Sequence, residues 1–575
     1  MMRRYFLFAF LLTTTWLAGC AAMPAGQGPV AAVTAKPEPA VAQPAAAGQL
    51  SRHLMYDLLV GEVAGQRGQL GVAVKYYLKA AETSSDPQVA ARATRIAAFA
   101  QDESSALIAA RRWAQLDPGN AEARQALAVL YLRAGDTQAS LKQFEWLLAS
   151  TPGAHGAGFL GVAELLAGEP KKTAALNVMK QLVDQHRNDP YAWFAYGRLA
   201  LAAGKPALAR TEIERVLKRK PHWTEAQILY AVILTQQGQG AKALAYLRAA
   251  VRAKPKDRAL RLSYAQQLIQ LKHLEQARAQ FRVLARREPG NPNVLFALSL
   301  LSMETKHYAD ARATLLRLVK TGYRVNEAYY YLGRIEEAEK HDAQAVEWYS
   351  KVDHGEHLID AQIRVAVLQA KQGQLDAARQ RLRNLRARFP SIAASLYVAE
   401  GEILREGGHD QDAMTLYNRA LKKLPGNVDL LYARALIADK LNQIALAERD
   451  LSEIIKHQPD NAYALNALGY TLADRTTRYQ EALGYIARAL KLRPDDPAII
   501  DSMGWVQYRL GHYQDSLKYL RRAYDLSHDP EIAAHLVQVL WVAGNHKGAR
   551  ALWREALKQH PHNKVLREAA KRFGQ

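Results

Sequence analysis

Small and bulky apolar positions recur along this chain with one long, nearly constant period. A small residue falls at Ala73, Ala106, Ser140, Ala174, Ala209, Ala243, Ala277, Ala311, Ala345, Ala378, Ala413, Ala447, Ala482, Ser516 and Ala549. The mean step of this beat is 34 residues, and no step is shorter than 33 or longer than 35. Four residues after it often sits a bulky side chain, as at Tyr77, Phe144, Phe281, Tyr349, Tyr417, Leu520 and Trp553. Three residues further comes another apolar or small one, such as Ala80, Leu147, Leu284 or Ala420. Spacings of four and three place these positions on one face of a helix. A proline commonly follows five residues later, as at Pro118, Pro221, Pro255, Pro289, Pro425, Pro459 and Pro494, and marks a connecting turn because it cannot continue a helix.

A preceding helix carries Gly or Ala twelve residues before the beat, as at Gly61, Ala128, Gly197, Gly333, Gly401 and Gly504. That small residue lets two helices approach closely. A glycine five residues before the beat (Gly68, Gly135, Gly204, Gly238, Gly373, Gly408, Gly511, Gly544) suits a turn between them that needs positive φ. The unit is therefore a helix–turn–helix of 34 residues, and it resembles the tetratricopeptide repeat. The resemblance covers about residues 52–573, and its best single copy is NAYALNALGYTLADRTTRYQEALGYIARALKLRPDD. It implies an all-α fold, a right-handed superhelical solenoid of about fifteen units over residues 51–575. The unit with Ala174 is weak, since Gly161 and Gly168 imply a register one residue earlier, and the unit after Gly322 lacks its closing proline.

Residues 1–19 differ from the array: Arg3 and Arg4 precede the apolar run YFLFAFLLTTTWLAG, the pattern of a secretory signal. Leu17-Ala18-Gly19-Cys20 resembles the bacterial lipobox, whose cysteine is lipidated after cleavage, and Cys20 is the only cysteine in 575 residues. Ala21 and Ala22 lack the aspartate that retains such lipoproteins at the inner membrane, so the resemblance implies an outer-membrane anchor facing the periplasm. Residues 20–50 then read as the lipidated cysteine and an Ala/Pro-rich tether, with only Lys36 and Glu38 charged and no aromatic residue to build a core.

The formal net charge is +22, and residues 205–288 hold 18 Lys/Arg against 6 Asp/Glu. Arg278, Arg282 and Arg286 recur at i, i+4 and i+8, as do Arg550, Arg554 and Lys558. In this repeat such positions face outward along the convex surface. The reading is a solvated basic face, or one that attracts anionic head groups, polysaccharide or an acidic partner. Nucleic acid is not an expected partner of an exported lipoprotein.

No phosphate loop, nucleophile elbow or available cysteine nucleophile appears, so no enzyme activity and no cofactor is expected. The densest ligand-like cluster, Asp353-His354-Gly355-Glu356-His357 with Asp360, reads as a hydrated turn rather than a metal site. One Tyr of Tyr329-Tyr330-Tyr331 should be core.

Family logic places partner-binding residues on the first helix of each unit. Those positions hold Tyr191, Phe194 and Arg198; Tyr330 and Arg334; Tyr463, Asn466 and Tyr470; and Asp501, Trp505 and Tyr508. Such a mixture suits a peptide or helix with a few anchoring side chains. Between them a more apolar stretch includes Ile228, Leu262, Phe296 and Met303. Lipobox, tether, long array and the run DSMGWVQYRLGHYQDSLKYLRRAYDLSHDPEIAAHL together resemble the adaptor lipoproteins of carboxyl-terminal processing proteases. That resemblance implies a scaffold whose partners are a periplasmic serine protease and peptidoglycan hydrolases. The alternative is an assembly component for exopolysaccharide, pilus or outer-membrane protein export. The oligomeric state does not follow from the sequence.

Overall fold

The computed structural model describes residues 51–150, 155–561 and 563–572; the leader, Cys20 and the tether lie outside them. Among the described residues there are thirty-one α-helices and no strand. They run as fifteen helix–turn–helix pairs from Arg52 to Gln559, followed by the helix Lys564–Arg572. The chain forms two compact bodies, through Pro221 and from His222 onward. Five pairs lie in the first body, and ten pairs with the last helix lie in the second. Within each body every helix packs on its pair mate and on the next helix of the chain.

The beat residue has a fixed place in this unit. It is the fourth residue of the second helix, and its N–H donates to the carbonyl of the residue capping that helix. Ala106 bonds Asp102, Ala277 bonds His273 and Ala482 bonds Arg478, each at 3.0 Å. All three alanines are fully buried. Where the beat is serine, its buried hydroxyl donates to the carbonyl twelve residues earlier: Ser140 to Ala128 and Ser516 to Gly504, both at 2.7 Å. A small hydroxyl thus satisfies itself inside the contact instead of being buried without a partner.

The residue twelve before the beat meets the bulky residue four after it. A methyl group at Gly333 would lie 2.6 Å from the Tyr349 ring, and one at Gly504 would lie 2.6 Å from Leu520 Cγ. At Gly401 it would overlap the Tyr417 hydroxyl. Tyr349, Tyr417 and Leu520 are almost wholly buried, so each first helix carries a notch that receives a knob from the second.

The turn is stricter than its glycines suggest. Five before the beat the backbone is left-handed at Gly68, Gly135, Gly204, Gly238, Gly373, Gly408, Gly511 and Gly544, and also at Gln101, Lys272, Lys306, Lys340 and Asn442. Those five non-glycine residues accept a φ between +58° and +65° because the helix pairing on both sides dictates it. Second helices end two residues before the expected prolines, as Leu116 before Pro118 and Arg287 before Pro289, since the residue preceding a proline is pushed out of helical conformation. First helices often start on an Asp or Asn cap with proline next: Asp86-Pro87, Asp189-Pro190, Asn291-Pro292 and Asp496-Pro497.

The weak unit corrects the sequence reading. Its second helix, Lys172–Gln185, is capped at Lys171, and Ala175 N donates to Lys171 O at 3.1 Å. Ala175 is fully buried whereas Ala174 is partly exposed, so the beat falls one residue later than expected. Gly161 and Gly168 point the other way because neither occupies the notch or the turn. Ala163 takes the notch position and Pro170 the turn position.

A second periodic device carries no apolar signal. Arginines six residues after the beat donate to backbone carbonyls that close the preceding unit. Arg112 reaches Ser84 O at 3.1 Å, Arg317 reaches Pro289 O at 3.1 Å, Arg488 reaches Pro459 O at 2.8 Å and Arg522 reaches Pro494 O at 3.0 Å. These guanidiniums satisfy carbonyls that a helix terminus leaves without intrahelical partners.

Candidate functional site

The predicted partner-binding residues divide into three groups of different character. In the first body, Tyr191, Phe194 and Arg198 lie on the helix Pro190–Ala202. The Lys220 ammonium sits 4.2 Å from the Tyr191 ring centre, Phe194 is 5% exposed and Arg198 is open to solvent. Phe194 is therefore core and offers no surface to a guest.

In the second body, Tyr330 is also buried, and its hydroxyl donates to the Asp360 carboxylate. Its ring stacks on His357 with 4.2 Å between centres and 7° between planes. Burial and the Asp360 charge raise the phenol pKa far above its usual value. Tyr330 is thus the core tyrosine of the Tyr329-Tyr330-Tyr331 run, while Arg334 remains half-buried on the same helix. The same contacts disperse the histidine–carboxylate cluster seen in the sequence. His357 and Asp360 serve Tyr330, while His354 pairs with Asp353 at 2.5 Å on an exposed turn. Glu336, Glu339 and His341 do converge closely enough to suit a cation, but Arg312 already binds both carboxylates.

The C-terminal units of the second body assemble the largest group. The first helices Ala462–Arg475, Pro497–Arg509 and Pro530–Val542 lie side by side in that order. They bring Tyr470, Asp501, Trp505 and Tyr508 around His535. Trp505 stacks on His535 at 4.3 Å between centres, and its indole N–H donates to Asp474 Oδ1 at 3.2 Å. Tyr508 tilts against Trp505 at 5.1 Å, and Gln538 Nε2 donates to the Tyr508 hydroxyl at 3.3 Å. The His535 Nδ1 lies 3.0 Å from Asp501 Oδ2, and its Nε2 lies 3.4 Å from the Tyr470 hydroxyl. Burial alone would lower the imidazole pKa; the Asp501 carboxylate outweighs it, so the net shift is upward.

Asp501 and Trp505 are only 7% and 6% exposed, which corrects their expected place on an open surface. They form a rigid floor because the neighbouring first helix supplies His535 to cover them. Tyr470 and Tyr508 are partly exposed, and Tyr463, about two turns earlier on the Tyr470 helix, is 42% exposed. The Arg493 guanidinium lies 4.8 Å from the Tyr463 ring centre. Asn466, on the same helix, has a buried Oδ1 with no protein donor. The group has aromatic faces, a carboxylate–histidine pair and an amide. It can grip apolar and aromatic side chains and accept hydrogen bonds from a backbone. Among the described residues the His535 ring nitrogens meet the Asp501 carboxylate and the Tyr470 hydroxyl. Nothing in the local sequence marks His535 as the centre of this group. Its contacts come from helices 34 and 65 residues earlier in the chain.

The basic residues also split. Arg278 is not a solvated outward residue: it is 8% exposed, held by Glu275 at 3.0 Å and Asp310 at 2.9 Å. Asp310 arrives from the next unit and draws the guanidinium in. Arg282 shares Asp310 at 2.7 Å but stays exposed, and Arg286 is exposed.

Comparison with known proteins agrees with this architecture. The tetratricopeptide repeat family matches residues 126–172, 171–222, 196–258, 296–355, 366–428, 432–497 and 502–564, and a second tetratricopeptide repeat family matches 234–289. A TPR repeat-containing protein of Pseudomonas aeruginosa (strain PAO1) is 40% identical over 532 residues, covering 92% of this chain and 89% of its own. Among solved structures, a chain of the APC/C hetero-tetramer Cut9–Hcn1 is 15% identical, with 91% of this chain and 97% of that chain covered at a TM-score of 0.31. A thermophilic TPR protein of Thermus thermophilus is 25% identical over 31% of this chain and 98% of its own, at a TM-score of 0.30. Fifteen repeat pairs, a match over most of their length and a near full-length relative lead to one conclusion: the chain belongs to the tetratricopeptide repeat family.

Proposed function

We propose that this chain is a lipid-anchored periplasmic adaptor that holds protein partners on the first helices of its C-terminal units. The observation that carries the reading is the group around His535, where Tyr470 and Tyr508 offer partly exposed aromatic surface beside a rigid, buried floor, with Tyr463 exposed about two turns earlier on the Tyr470 helix. Rigid aromatic anchors beside satisfied polar groups give affinity at low entropic cost. Repeats of this family bind proteins in general, which agrees with a scaffold. The partners that suit the lipobox resemblance are a carboxyl-terminal processing protease and the cell-wall hydrolases it degrades. Anchoring rests on the lipobox cysteine, Cys20. Among the described residues no helix is long and apolar enough to cross a membrane.

The test is affinity purification from detergent-solubilised envelopes. A serine protease and peptidoglycan hydrolases should co-purify with the chain. Recovery of only secretin or export-channel subunits contradicts the adaptor reading and favours the assembly role. Metabolic labelling with a lipid precursor checks the anchor: Cys20→Ala should abolish incorporation, and persistent labelling refutes it.

A further inference from the structure

The basic run on the helix Leu274–Arg287 does more than present charge to solvent. Between it and the next unit lies a cleft of about 340 Å3, lined by Arg282, Arg286, Leu298, Ser302, Asp310 and Arg317 among others. Three guanidiniums face one carboxylate there. Asp310 is already committed, accepting from Arg278 at 2.9 Å and Arg282 at 2.7 Å, and it fixes Arg282 at the cleft wall. Arg317 is tied through Nη2 to the carbonyls of Ala285 and Pro289 and has no carboxylate partner among the described residues. Arg286 makes no ion pair with any described residue.

A second, independent feature points at a ligand. Ser302 lines the cleft, is fully buried, and its hydroxyl has no hydrogen-bond partner in the protein. A buried hydroxyl left alone costs about 1–3 kcal/mol, so such groups are normally paired. The other serines at close helix contacts, Ser140 and Ser516, pair with carbonyls at 2.7 Å. Ser302 does not, although it lies within the last turn of its helix, where an intrahelical bond like that of Thr305 to Leu301 is sterically ordinary.

We infer that this cleft is a binding site for a phosphate group, with Arg286, Arg317 and Arg282 supplying charge and Ser302 supplying a hydroxyl donor. A tetrahedral oxyanion accepts from several donors at once, and arginine presents its donors in a planar fork that fits two such oxygens. The net excess of positive charge makes a neutral sugar or an apolar ligand a poor match. The site is independent of the aromatic group around His535, since no residue is shared between them.

Calorimetric titration of the full chain with inorganic phosphate, and flotation with vesicles of phosphatidylglycerol in phosphatidylcholine, test the site and separate two sources of the group. Saturable binding is expected in at least one arm. Binding of free phosphate assigns a soluble phosphate, whereas vesicle binding without it assigns a lipid head group. Arg286→Gln should weaken binding about tenfold, the loss of one charge-assisted contact, and Ser302→Ala should weaken it severalfold. Arg286 is exposed, so its replacement should leave the circular-dichroism melt unchanged. Arg550→Gln, the same charge change on another exposed helix, should leave binding intact. No saturable binding in either arm overturns the inference, as does an equal loss from Arg286→Gln and Arg550→Gln.

Discussion

Two helices carry the same arginine pattern and end in different physical states. Arg278 and Arg550 each stand one residue after the beat, on Leu274–Arg287 and His546–Gln559, and each begins an i, i+4, i+8 basic run. Arg278 is buried between Glu275 and Asp310. Arg550 is exposed, its guanidinium 5.4 Å from the Trp541 ring centre, and Arg554 and Lys558 are exposed beside it. The difference lies in the following unit. Leu274–Arg287 is followed by a complete pair whose second helix, Tyr308–Lys320, delivers Asp310. Among the described residues His546–Gln559 is followed by the short helix Lys564–Arg572, which contributes Leu566 to the packing and accepts a hydrogen bond from Trp553 at 2.8 Å. In a stacked array the neighbour decides whether a repeat position is core or surface.

The contrast is open to breaking at several points. The largest effect should come from Asp310→Ala. It leaves the nearly enclosed Arg278 with the exposed Glu275 and a ring nitrogen of His307, and about 2 kcal/mol of local stability should be lost. Hydrogen exchange of the helix Leu274–Arg287 reads this directly, and unchanged protection there would show that the pair does not matter. Arg278→Ala should cost somewhat less, about 1–2 kcal/mol, because it removes the buried charge together with its packing. A matching Arg550→Ala should change stability by no more than about 0.5 kcal/mol in the same measurement.

Histidines near the C-terminus sharpen the same point. His535 is enclosed by Asp501 and Trp505, whereas His546 is exposed beside Trp541. The folded pKa of His535 is raised above its ordinary 6.5. Its contribution to stability is therefore complete below pH 6.5 and is lost as pH rises through the folded value. Protection of the helix Pro530–Val542 should fall across that interval in the native chain. In His535→Gln the fall should disappear, and a fall that persists assigns the pH dependence to another group.

Much of the fold is legible in the sequence because its rules are local and repeated. The beat, the closing prolines and the turn glycines each act within one 34-residue unit. What stays hidden depends on contacts between units or on backbone geometry without a residue signature. Gln101, Lys272 and Lys306 sit in left-handed turns that their side chains do not favour. Arg317 and Arg522 clamp carbonyls of the unit before. The register at Ala175 escapes the sequence pattern because Gly161 and Gly168 look like the notch and turn glycines and are neither. Of the candidate binding residues, sequence periodicity finds the right helices. It cannot tell that Phe194, Tyr330, Asp501 and Trp505 are buried; the groups that cover Tyr330, Asp501 and Trp505, His357 and His535, come from the following unit.

Site-specific photocrosslinking in living cells tests the central claim most directly. A photoreactive phenylalanine would replace Tyr463, Tyr508 or Arg554 in turn. The adaptor account predicts that positions 463 and 508 capture a carboxyl-terminal processing protease or a cell-wall hydrolase and that position 554 captures neither. Capture of those proteins at 554 but not at 463 or 508 would contradict it.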